Sequence, residues 1–129
     1  MLLQSFNIST SALTAERLRM DIVAENLANA ETTRTPEGGP YRRKVPVFVP
    51  LTDGGVGVAA VVEDPSPPRL KFDPGHPDAG PDGYVRMPNI DVAREMVDLA
   101  AASRAYEASV AVLTVTRAMA LRALDISSR

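Results

Sequence analysis

The sequence predicts a mainly α fold with a small β-rich insertion. A long helix at each end pairs with the other as an antiparallel, coiled-coil-like hairpin, and the middle loops out. Three observations carry this. All eleven prolines and all eight glycines lie between Pro36 and Pro88, and an interior Pro or Gly costs a helix about 3 or about 1 kcal/mol relative to Ala. The flanking segments carry apolar residues at helical spacing. The middle breaks into short β-branched runs separated by turn formers. The chain therefore divides into 1–34, a first helical segment; 35–88, a Pro/Gly-rich β and loop region; and 89–129, a second helical segment.

The first helix is predicted from about Ser5 to Ala30. Phe6, Leu13, Met20, Val23, Ala24 and Leu27 gather on one side, and Ile8, Ala15, Leu18 and Ile22 on nearly the opposite one. The Ser9-Thr10-Ser11 run offers capping oxygens, and Thr32 to Pro36 closes the segment. The second helix is predicted to start at Asn89 or Ile90. Pro88 precedes it, Asn89 is a good N-cap, and Asp91 suits the positive helix start. It can run to about Asp125, roughly 50 Å. One stripe reads Val92, Met96, Leu99, Ser103, Tyr106, Val110, Leu113, Ala120 and Leu124, a coiled-coil-like spacing. A second, on the far side, reads Val97, Ala101, Ala105, Ala108, Val112, Val115 and Met119.

Between the helices, Lys44 to Val49 alternates but contains Pro46, which marks an edge strand. Val56 to Val62 follows an Asp53-Gly54-Gly55 turn. Leu70–Asp73 and Tyr84–Met87 read as two further strands around a run of turn formers from Asp73 to Gly83.

At 129 residues the chain is of single-domain size. A net charge of -2 argues against polyanion or membrane-surface binding. The absence of Cys excludes disulfides and thiolate chemistry. The N-terminus lacks the basic and apolar regions of a secretory signal, and no stretch is long enough to span a bilayer. Three Phe, three Tyr and no Trp make the chain poor in core-forming side chains. His76, near Asp73, Asp78 and Asp82, lacks the companions of a zinc site and the spacing of a calcium loop, so these read as turn residues. No cofactor site, nucleophilic triad or phosphate-binding loop is expected. Arg42-Arg43-Lys44 reads as a solvated strand or an ion-pairing contact to a neighbour rather than a nucleic-acid patch. Asn26 and Asn29 either end the first helix or fix register against a partner helix.

Two helices packed together satisfy one stripe each, and each has a second stripe left over. Those stripes either close a small monomeric core or are covered by other subunits, as contiguous exposed apolar surface usually is. In the second case the terminal segments order only on assembly.

The segments Ile8-Ser9-Thr10-Ser11-Ala12-Leu13 and Asp21 through Ala30, followed by Thr32-Thr33, closely resemble the N-terminal signature of bacterial flagellar rod and hook axial proteins. Gly39–Lys44, Asp73–Ala79, Gly83–Asn89, Glu95–Asp98 and Ala102–Ala108 narrow the resemblance to proximal rod subunits within that family. It implies a non-enzymatic subunit that stacks helically into the basal-body rod, the drive shaft that crosses the periplasm and houses the export channel. Export would use the flagellar type III apparatus without a cleaved signal peptide. The implied neighbours are further copies, the rod proteins FlgB, FlgF and FlgG, and the adaptor FliE at the MS ring, with no nucleic acid and no small-molecule substrate. The helical ends would form the inner tube and residues 35–88 the outer layer. On this basis Leu13, Met20, Leu27, Leu99, Tyr106, Val110 and Leu113 are expected to form the seam within the subunit. Ile22, Asn26, Asn29, Val97, Ala101, Ala108, Val112 and Met119 are expected to face neighbouring subunits. A soluble helical adaptor, or a small metal-binding protein using His76, is the alternative.

Overall fold

A computed structural model describes all 129 residues. Helix α1 spans Leu2–Ala28 and helix α2 spans Val92–Ser127. Both occupy the stretches free of Pro and Gly. Between them lie two separate antiparallel pairs: β1 (Lys44–Pro50) with β2 (Val56–Glu63), and β3 (Arg69–Phe72) with β4 (Tyr84–Met87). The arrangement is mainly helical with a small β region, as the Pro/Gly sorting implies.

The helices run antiparallel, since the end of α1 lies beside the first turns of α2, where Asn26 Nδ2 is 3.4 Å from Glu95 Oε2. At 1.5 Å per residue, α1 is about 40 Å long and α2 about 54 Å. The last turns of α2 therefore run past the start of α1, and residues 121–129 are exposed throughout.

Three local expectations are corrected. Helix α1 begins at Leu2, so Ser9-Thr10-Ser11 lies inside it rather than capping it. Ser11 Oγ instead donates to Ile8 O at 2.7 Å and accepts from Val56 N at 3.1 Å. The N-cap of α2 is Asp91, whose carboxylate accepts from the Ala93 and Arg94 amides. Asn89 is occupied elsewhere: its Oδ1 accepts from Arg43 N, and its Nδ2 donates to Asp64 O and Ser66 O.

The third correction concerns the face of α2 turned inward. Its buried and half-buried row is Glu95, Leu99, Ala102, Tyr106, Ser109, Leu113, Thr116 and Ala120, in alternating steps of four and three. Val110, expected in the seam, is 42% exposed, and Val92, Met96 and Leu124 also face solvent. Small residues at 102, 109 and 120 allow close approach of the helices. Thr116 satisfies its own hydroxyl by donating to Val112 O at 2.8 Å, so a polar side chain is tolerated there.

The β1–β2 hairpin lies back along α1. Its root is bonded to Asn26 through both backbone groups of Lys44, and its tip reaches Ser11. Fifteen helical residues and seven strand residues both cover about 22–23 Å, so the two contacts match in spacing. Gly55 permits the close approach, because a Cβ there would stand 2.6 Å from Ser11 Oγ. Beyond β3, strand β4 alternates, with Val85 and Met87 buried and Tyr84 and Arg86 exposed. Ile90, Tyr41 and Ala30 form a small apolar cluster where the helices meet the middle region. Only 16 residues are buried, and the accessible surface of 8692 Å² exceeds the roughly 6,600 Å² of a compact monomer of this mass.

Candidate assembly surface and the junction that orients it

The most ordered polar structure sits where α1, α2 and the middle region meet. Asn26, 1% exposed, uses its whole amide. Oδ1 accepts from Tyr41 OH at 3.1 Å and Lys44 N at 3.0 Å, while Nδ2 donates to Lys44 O at 2.8 Å and Glu95 Oε2. It thus pairs with Lys44 as a neighbouring strand would. Glu95, also 1% exposed, pairs with Arg43 through its Nε. The same guanidinium reaches Asp64 at 3.2 Å and Asp98 at 3.4 Å. One arginine therefore ties α2 to both ends of the β1–β2 hairpin. No buried side-chain nitrogen or oxygen lacks a partner.

The electrostatics follow from these contacts. Burial pulls the Arg43 guanidinium down, but its bonds to Glu95 and Asp64 outweigh this and hold it above its ordinary value. Burial, then the Glu25 carboxylate, pushes the Tyr41 phenol up. The Glu25 carboxylate, 2.9 Å from Nζ, raises Lys44. The Ser66 hydroxyl and amide, followed by Arg43, hold Asp64 below the usual carboxylate range.

Away from this junction, α2 presents a largely uncovered apolar face. Val97 is 68% exposed and Met119 55%, with Val112 and Val115 between them and Ala101 and Ala108 also exposed. Ile126 continues this face onto the overhang, where Leu121 and Leu124 are exposed on other sides of the helix.

The residues expected to meet neighbours divide. Val97, Ala101, Ala108, Val112 and Met119 are on the open face. Ile22 and Asn26 are not available there, being buried inside the subunit, because the hairpin and Glu95 cover that side of α1. Asn29 is half-buried; its Nδ2 donates to Glu25 O and its Oδ1 accepts from Thr32 Oγ1, so it ends the helix. Leu13, Met20, Leu27, Leu99, Tyr106 and Leu113 are half-buried. Arg43 and Lys44 are spent within the subunit rather than on a neighbour. Sequence reasoning missed Glu95 as the partner of Arg43, although a lone Glu in a row of Leu, Ala and Tyr at heptad spacing is a readable sign of a buried ion pair. His76 Nδ1 accepts from the Asp78 amide at 2.9 Å, and Asp78 is held by Thr33 and Arg34, which makes this loop a set of turn contacts.

Comparison with known proteins adds to this geometry. Residues 6–34 match the model of the flagella basal body rod protein family, and residues 82–126 match the C-terminal model of the flagellar basal body rod FlgEFG proteins. The chain is similar to the flagellar basal-body rod protein FlgC of Yersinia enterocolitica, 46% identical with 97% of each chain covered. It is also similar to FlgC of Borreliella burgdorferi, 42% identical over 97% of each chain, and to FlgC of Bacillus subtilis, 42% identical over 95% of each.

Proposed function

This chain belongs to the FlgC family of flagellar basal-body rod proteins and is a structural subunit of that rod; from that premise we propose that it joins the rod through the outward face of α2. The observation that carries this is the exposed, mainly apolar face through Val97, Ala101, Ala108, Val112 and Met119, with Arg104 at its edge. It belongs to a subunit whose surface is about 2,000 Å² larger than a compact monomer needs. In this reading residues 1–34 and 89–129 form the inner tube and residues 35–88 the outer layer. The neighbours are further copies, FlgB, FlgF, FlgG and, toward the MS ring, FliE. The subunit reaches the periplasm-spanning rod through the flagellar export apparatus without a cleaved signal.

The mechanical role needs no catalytic centre, cofactor or small-molecule substrate. Torque is shared among many subunit contacts in parallel, and each contact has to hold its orientation. The Arg43 junction serves this by fixing the middle region on the helix pair.

Replacing Ala108 with Glu tests the face. Rod assembly and motility are expected to be lost while the chain is still expressed and exported. A motile strain carrying Ala108→Glu would remove this face from the subunit contacts.

A further inference from the structure

The β3–β4 pair has one edge that nothing in the chain covers. Strand β3 lies against β4 with no break in register, Leu70 opposite Arg86 and Phe72 opposite Tyr84. The Asp73 amide donates to Gly83 O at 2.9 Å, which sets the parity of the ladder: the bonded pairs are Lys71 with Val85 and Arg69 with Met87. The N–H and C=O groups of Leu70 and Phe72 therefore point away from β4, and no backbone group elsewhere in the chain bonds them. All of β3 is exposed. The outer edge of β4 differs, because there the Gly80 amide donates to Tyr84 O at 2.9 Å.

The side chains of β3 divide by face. Leu70 and Phe72 stand on one face with Tyr84 and Arg86, and they are 65% and 62% exposed, although Phe72 meets the Tyr84 ring edge-on at 5.2 Å. Arg69 and Lys71 stand on the other face. Arg69 Nε donates to Pro88 O at 3.1 Å, but Arg69, Lys71 and Arg86 all lack a carboxylate in ion-pair range. The two strands carry these three cations and no acid. Asp73 and Asp82 lie beyond them at the turn end, where Asp82 Oδ1 accepts from the Tyr84 amide.

An open edge with unpaired backbone groups accepts a further strand, whose backbone bonds supply affinity and whose alternate side chains supply selectivity. A second copy fits this edge poorly. Pairing two such edges with their apolar residues on one face would set Lys71 against Lys71 or Arg69, and like charges directly opposite destabilise a strand pair.

We infer that the outer edge of β3 takes an extended segment of another polypeptide as an added strand. That segment alternates apolar side chains toward Leu70 and Phe72 with carboxylates toward Arg69 and Lys71. The contact lies on the middle region and is independent of the outward face of α2.

The test uses the purified full chain and a short synthetic peptide alternating Glu with Val and Phe, compared with a peptide carrying Lys in place of each Glu. Amide exchange at Leu70 and Phe72 is expected to slow at least about tenfold on adding the Glu peptide. Lys71, whose amide already faces β4, should change little. The Lys peptide is expected to bind at least about tenfold more weakly. Lys71→Glu should weaken the Glu peptide and favour the Lys peptide, with circular dichroism confirming that the fold is retained. The inference is overturned if the Leu70 and Phe72 amides exchange as before at about 1 mM Glu peptide, or if the two peptides bind equally. It is also overturned if those amides become protected in the wild-type chain alone as its concentration rises, which would assign the edge to a second copy.

Discussion

At the loop end of the helix pair, Asn26 and Glu95 are sealed from water, and their polar atoms are answered by Tyr41, Arg43 and Lys44. At the open end, α2 continues past α1 with Leu121, Leu124 and Ile126 facing solvent. The first region is finished inside the subunit. The second has side chains suited to a core and nothing from its own chain to cover them. Stability is thus concentrated in the loop-end junction, while the surface left for assembly runs along the outward face of α2 to the open end, so changes in the junction should affect a different measurement from changes on that face.

The largest effect on the free chain should come from Glu95→Ala. Removing one member of a buried ion pair typically costs about 3–5 kcal/mol; here it takes from Arg43 its most buried carboxylate and leaves it Asp64 and Asp98, so a loss at the lower end, about 3 kcal/mol, is expected. Chemical denaturation of the free chain should show that loss. A change under about 1 kcal/mol would mean that water reaches Arg43 and the junction is not sealed.

A smaller cost is expected at the hairpin tip. Ser11→Ala leaves the Val56 amide without its acceptor, a loss of about 1–3 kcal/mol if the amide stays unsatisfied. The tip should lift from α1 while the Lys44 root remains docked on Asn26. Amide exchange at Val56 against Lys44 distinguishes this local release from general unfolding.

The smallest effect is that of acid. Asp64 is held below its ordinary value by Ser66 and then Arg43, so the folded state favours its ionised form. That contribution is complete above the ordinary carboxylate pKa of about 3.9 and is lost as pH falls through the lower folded value. Thermal stability should therefore drop below about pH 4, and Ser66→Ala should flatten part of that slope. A slope unaffected by Ser66→Ala would assign the acid sensitivity to other carboxylates.

The sequence made the large divisions of this molecule legible. The confinement of Pro and Gly to residues 36–88 marks where helices cannot run, and the four strands fall within about a residue of the segments read as strands between the turn formers. The loop end was harder to read because its logic is tertiary. Asn89 and Asp91 are both good N-cap residues, and only the demands of Arg43, Asp64 and Ser66 assign Asn89 to the loop side. Two rows of α2 share a coiled-coil spacing. Hydrophobicity favours the one containing Met96 and Val110, whereas close packing turns Ala102, Ser109 and Thr116 inward. Ile22 looks like contact surface in a helical projection that omits the hairpin lying across α1. The exposed row of Val97, Ala108 and Met119 could be anticipated, because two helices cannot cover four stripes.

The central claim is that the polar junction at the loop end is complete within one subunit and that the outward face and open end of α2 are completed by others. Residue-resolved amide exchange on the dilute monomer, compared with the assembled protein, tests it most directly. Protection is predicted in the monomer around Val23–Ala30, Lys44 and Glu95–Ala102, with little from Val115 onward, and protection should extend to Ile126 on assembly. Uniform protection of α2 to its last turns in the monomer would contradict the account, as would exchange of the Asn26–Glu95 region as fast as the overhang.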